Sequence, residues 1–161
     1  MNLAFSTKFH KANGIGDFIK IADELRYDGI EIHDIRAEAF SGKASPFNPD
    51  MASVTKRTLI NAKKSIACLN VGCNIADKTA AEENMQKIET AVSVARNINV
   101  PYIKVYADSA EENAFDFVTD FMGNVIELCS KNNVVVLVDP LGLHRHHYRH
   151  NPGSGTIPKA Q

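Results

Sequence analysis

A chain of 161 residues with 44% hydrophobic and 23% charged residues has the composition of a single globular domain with a real core. A net charge of −1 with few clustered bases argues against a nucleic-acid footprint. No stretch approaches the ~18 apolar residues of a membrane span and the first residues lack a signal-peptide pattern, so a cytoplasmic protein with neither membrane nor nucleic acid as partner is expected.

The charge is unevenly spread. Residues 1–139 hold all 19 acidic residues against 15 Lys and Arg, whereas residues 140–161 hold no acid and three bases. Two regions are therefore expected: a folded part over 1–139 and an irregular tail over 140–161. Cys68, Cys73 and Cys129 are odd in number and fit neither a CxxC pair nor a zinc ribbon, so they read as reduced thiols in or near the core.

In chain order, NLAFST (2–7) reads as a short strand. Phe18, Ile21, Ala22 and Leu25 then recur at helical spacing after the turn residues Asn13, Gly14 and Gly16. Asp28 and Gly29 break that helix, and GIEIH (29–33) alternates as a second strand. Pro46 and Pro49 mark a loop, Asp50 can cap a helix through about residue 63, and SIACLNVGC (65–73) supplies a third strand. Thr79 with Glu82 has the spacing of a capping box, ahead of the stripe Met85, Ile88, Val92 and Ala95. YIKVYA (102–107) is the fourth strand, and Ser109 with Glu112 repeats the capping box before Val118, Phe121, Val125 and Leu128. VVVLV (134–138) is the fifth. Strand starts 27 to 37 residues apart leave room for a crossover helix each time, the mark of parallel βα units.

An open doubly wound sheet and a closed barrel both accept five such units. The strands discriminate. Central strands of an open sheet are apolar on both faces, yet the second strand carries Glu31 and His33 on one face and the fourth carries Tyr102, Lys104 and Tyr106. No GxGxxG or Walker loop follows the first strand. An α/β fold of incomplete (βα) TIM-barrel type, with about five parallel strands in sequential order, is expected.

The runs LRYDGIEIHD (25–34), SIACLNVGC (65–73), ARNINVPYIKVYAD (95–108) and NNVVVLVD (132–139) resemble, in order and spacing, the N-terminal part of the sugar phosphate isomerase/epimerase family, the xylose isomerase-like TIM barrels. The resemblance implies a divalent metal (Mn, Mg or Zn), a sugar or sugar phosphate as substrate, and proton transfer beside its carbonyl through an enediolate. A hard cation polarises the sugar oxygens so that a carboxylate can remove the neighbouring proton. It further implies Glu31 and His33 as catalytic candidates, Lys104 and Tyr106 as substrate-binding candidates, and Asp139 as a metal ligand. Asp139 stands where the family usually has Glu followed by Thr and His, and its shorter reach weakens the metal expectation.

Each residue also has a plainer reading. Glu31 and His33 could be a solvated strand face, Lys104 a lysine whose stem covers apolar surface, and Asp139 a turn initiator before Pro140. The His- and Arg-rich tract 144–150 could chelate zinc or nickel. The tail begins where the family would read Glu-Thr-His-Trp. Loss of two nucleotides from one set of codons for that run would give Asp139-Pro140-Leu141-Gly142, so an out-of-frame tail is expected, with the ligands of later strands missing. Two function classes follow: an isomerase or epimerase that is inactive as this lone chain, or a non-catalytic barrel remnant or interaction module. The endonuclease branch of the superfamily is disfavoured by the lack of a basic surface. Open sheet edges imply self-association.

Overall fold

The structure, a computed structural model, describes residues 3–41, 43–109, 111 and 114–140. The expected tail and its histidine tract therefore lie outside the described residues from 141 onward. Five strands, β1 (Ala4–Ser6), β2 (Gly29–Ile32), β3 (Ser65–Asn74), β4 (Tyr102–Tyr106) and β5 (Val135–Asp139), form one sheet in the order β1-β2-β3-β4-β5. Every neighbouring pair is parallel. Sequential parallel order is the arrangement of a partial (βα) barrel, because an open doubly wound sheet places its first strand in the interior.

Helices α1 (Ile15–Glu24), α2 (Ala52–Ala62), α3 (Ala81–Ile98) and α4 (Ala114–Lys131) connect successive strands. Their apolar stripes meet one face of the sheet: Ile30, Ile32, Leu69, Ile103 and Val105 are fully buried in one core with Phe18, Ile88, Val92 and Val125. Alternation in β2 and β4 then turns Glu31 and Lys104 to the opposite, inner face.

The helix starts differ from expectation. Asp50 lies within a 3₁₀ turn (Pro49–Met51) that leads into α2 and makes no side-chain cap. The Thr79–Glu82 capping box does not form; the Asp77 carboxylate instead accepts from the Thr79 amide (2.9 Å) and hydroxyl (2.6 Å), two residues upstream of where the pattern pointed. Both proposals placed the cap inside the turn that precedes the helix. Glu112 of the second box lies outside the described residues, while Ser109 Oγ accepts from the Glu111 amide at 3.1 Å. Cys68, Cys73 and Cys129 are buried and form no disulfide, as expected of core thiols. No helix among the described residues is long and apolar enough to cross a membrane.

Candidate functional site

The C-terminal ends of all five strands converge on a cavity of about 510 Å³, and Glu31, His33, Lys104, Tyr106 and Asp139 all line it. Each is placed by its strand. Glu31 precedes the last residue of β2, and His33 follows it with a backbone amide that donates to Thr7 Oγ1 at 2.9 Å. Lys104 is the middle residue of β4. Tyr106 closes β4 and is in register with Asp139 at the end of β5, whose carbonyl accepts from the Ala107 amide at 2.9 Å.

Inside the cavity Lys104 Nζ donates to Glu31 Oε1 at 2.5 Å, both side chains being 27% exposed. The hydrogen bond to Glu31 raises the Lys104 pKa above its ordinary value; burial opposes, and the nearby charge of Glu31, Cys68 and Asp139 adds to the rise. Lys104 is therefore a fixed cation at neutral pH rather than a proton acceptor. The pair also divides the inner face. Above it the cavity is polar; below it a second hollow of about 600 Å³ is walled by Ala4, Ala67, Cys68, Tyr102 and Leu137.

Three features were not anticipated from the sequence. The first is Asn70, which reaches the cavity because β3 bulges: its register steps from Ile30–Ile66 to Glu31–Cys68, leaving Ala67 unpaired. That step keeps Ile66 in the helix-side core and brings Cys68 and Asn70 alongside Glu31 and Lys104. A plain alternating strand would have put all three on one face. The second is the Asp34–Arg36 fork just past β2, with Nη2 to Oδ2 at 2.7 Å and Nε to Oδ1 at 3.0 Å. Burial pushes the Asp34 carboxyl up, but the Arg36 hydrogen bonds and charge outweigh it and hold the pKa below the usual carboxylate value. The third is Lys8, in the 3₁₀ turn Thr7–Phe9 that follows β1. Its signal was only positional, a polar residue just beyond a strand's C-terminal end.

Cys68 is no nucleophile. Burial, then the Glu31 charge, push its thiol up to about 11, with Lys104 opposing. A metal site is also not completed by these side chains. Glu31 is held by Lys104 and Asp34 by Arg36, which leaves Asp139 as one oxygen donor, and among the described residues no group of three His, Cys, Asp or Glu side chains could hold a metal ion.

No family model and no curated protein matches the sequence. Solved structures do match. A xylose isomerase domain-containing protein from Salmonella typhimurium aligns with 86% of the chain at 16% identity and a TM-score of 0.68. The fold is that of a partial (βα) TIM barrel. An AP endonuclease of family 2 from Brucella melitensis aligns with 91% at 14% identity and TM-score 0.66, and the IolI protein, solved with a bound zinc atom, with 86% at 13% identity and TM-score 0.63. The chain spans about half the length of these structures, 49%, 58% and 51% respectively. Identities this low carry the fold and leave the activity to the residues of the cavity.

Proposed function

We propose that this chain carries the substrate-binding part of a sugar or sugar phosphate isomerase or epimerase site, as in the xylose isomerase-like barrels it is similar to. The observation that supports this reading most is the Glu31–Lys104 pair at the centre of a polar cavity at the strands' C-terminal ends, where barrel enzymes bind their substrates. A polyhydroxylated ligand suits it. Glu31 accepts from sugar hydroxyls, while Lys104 and the Tyr106 hydroxyl donate to sugar oxygens, and the half-enclosed pair strengthens each contact relative to water. A nuclease reading fits less well, since Lys104 and Arg36 are each already matched by a carboxylate, and Lys8 alone supplies little positive field for a phosphate backbone. A reducing, cytoplasmic setting agrees with three unbridged cysteines.

The same residues favour binding over turnover. Proton transfer beside a carbonyl needs a base and an electrophile held together, and a divalent metal in the role implied by the family takes several oxygen or imidazole ligands. The described side chains of the cavity offer only Asp139 and the His33 imidazole for that purpose, fewer than such an ion takes, so the 161-residue chain by itself is proposed to bind without isomerising. A second reading, a non-catalytic interaction module, is favoured by one observation: Val135, Leu137 and Val138 of β5 are all exposed.

The test is a titration of the chain with D-fructose, followed by backbone amide shifts, alongside an isomerisation assay with Mn²⁺ or Mg²⁺. Shifts focused on Glu31, Lys104 and Asp139 are expected. Their absence refutes the sugar site, and turnover approaching ~1 s⁻¹, at the low end of ordinary enzymes, refutes the claim of binding without catalysis.

A further inference from the structure

Three cations face the cavity, and their surroundings differ. Lys104 is matched by Glu31 at 2.5 Å, and Arg36 is forked onto Asp34. Lys8 is exposed, and among the described residues no carboxylate lies within ion-pair distance of it; its Nζ sits 5.6 Å from the centroid of the Phe9 ring. An aromatic face orients an ammonium without neutralising it. The turn that carries Lys8 is fastened down: Thr7 is buried, its hydroxyl accepts from the His33 amide at 2.9 Å, and its carbonyl accepts from the His10 amide at 2.9 Å. Lys8 thus offers an uncompensated positive charge on an anchored turn at the β1 end of the cavity, while Asp139 stands at the β5 end.

We propose that Lys8 is a specificity-determining residue that receives an oxyanion substituent of the substrate, a phosphate or a carboxylate, so that the cavity selects anionic over neutral sugars. The inference rests on the reading of the cavity as a sugar site. A ligand lying across the strand ends would set its oxyanion on Lys8 and its hydroxyls on the Glu31–Lys104 pair. Lys104 is the poorer oxyanion partner, because Glu31 already occupies it and repels a second negative charge. At Lys8 a charge-assisted hydrogen bond forms without displacing any carboxylate.

The test is binding to the 161-residue chain, measured by calorimetry and amide shifts, with D-fructose, its terminal phosphate ester, D-gluconate and inorganic phosphate as probes. The phosphate ester is expected to bind about tenfold more tightly than fructose, an advantage that shrinks with added salt, disappears in Lys8→Gln and persists in Lys8→Arg. Gluconate with the same Lys8 dependence identifies a carboxylate as an accepted oxyanion; gluconate that behaves like fructose identifies phosphate. Equal affinities for fructose and its ester, or an advantage that survives Lys8→Gln, overturn the inference. Inorganic phosphate separates it from the sugar reading. If no sugar binds yet phosphate shifts the Lys8 and Phe9 amides in the parent chain and not in Lys8→Gln, the oxyanion site stands and the sugar site falls. If the sugars bind and neither phosphate nor the phosphate ester moves those amides, the reverse holds.

Discussion

Lys104 and Glu31 form an ion pair across strands that are not neighbours: Glu31 lies on β2, Lys104 on β4, and β3 runs between them. Cys68 of β3 is in register with Glu31 and Asn70 with Lys104, so the pair spans the central strand on the inner face. Residues 73 positions apart are thereby tied across three strands by one contact.

Because both members are mostly buried, removing one strands the other. Lys104→Met and Glu31→Met should each destabilise the fold by about 1–3 kcal/mol, between the worth of an exposed pair and that of a fully buried one. The double variant should recover most of the loss, since two apolar side chains leave no unpaired charge. The sign with pH follows from the raised Lys104 pKa. The pair's contribution is fully present below the unfolded lysine value of about 10.4 and is lost as pH rises through the folded value above it. Denaturant midpoints of the four proteins from neutral to strongly alkaline pH check this; a Lys104→Met penalty already fading near neutrality would contradict it.

Much of this was legible in the sequence, for a physical reason. Strands β2 and β4 keep strict alternation, so reading Glu31, His33, Lys104 and Tyr106 along their runs was enough to place them on one face, and Asp139 followed from its position at the end of β5. Two things were hidden. The bulge at Ala67 changes which face Asn70 takes, and nothing in SIACLNVGC distinguishes a bulged strand from a regular one. The ion pair depends on β2 and β4 flanking β3 closely enough for two long side chains to meet, which is a property of the assembled sheet. Helix caps failed for a different reason: Ser, Thr and Asp near a helix start compete for the same orphan amides, and here Asp77 wins over Thr79.

The cysteines should be inert in the folded chain. Burial raises Cys68 and Cys73 to about 11 each, and it also raises Cys129. At pH 8 the thiolate fraction of Cys68 and Cys73 is then on the order of 10⁻³, and access is restricted as well. Alkylation followed by mass spectrometry is expected to leave all three unmodified until denaturant unfolds the chain. Rapid labelling of Cys68 under native conditions would show that the inner face is open enough to ionise it.

Asn74 couples two of the loops above the cavity. Its Oδ1 accepts from the amides of Ala76 (3.1 Å) and Asp108 (3.0 Å), and its Nδ2 donates to the Asp108 carbonyl at 2.8 Å. Asn74→Ala should cost about 1–2 kcal/mol, because it leaves these backbone groups without their partner. Asn74→Asp should cost at least as much, since it sets a carboxylate oxygen against the Asp108 carbonyl. Hydrogen exchange is expected to speed up at the Asp108 amide in both; unchanged protection there would show that the loops hold together without the side chain.

The exposed apolar residues of β5 bear on the interaction-module reading. Val135 and Leu137 are 53% and 41% exposed and are in register with Tyr102 and Lys104 on the cavity face, while Val138 on the other face is 40% exposed. Among the described residues β5 pairs only with β4, so its second edge presents unmatched backbone groups beside this apolar surface. Such an edge is a template for another strand, and apolar side chains add the hydrophobic drive that hydrogen bonds alone lack. The 161-residue chain is therefore expected to self-associate with rising concentration and to bind a hydrophobic dye. Replacing both Val135 and Leu137 by Lys should suppress both effects, because charge on the strand opposes close approach of a second chain while leaving the helix-side core of Ile103, Val105 and Val125 intact. Light scattering and sedimentation over a broad concentration range decide the matter: a parent chain that stays monomeric throughout, or a doubly substituted chain that associates as strongly as the parent, removes β5 as the source of association.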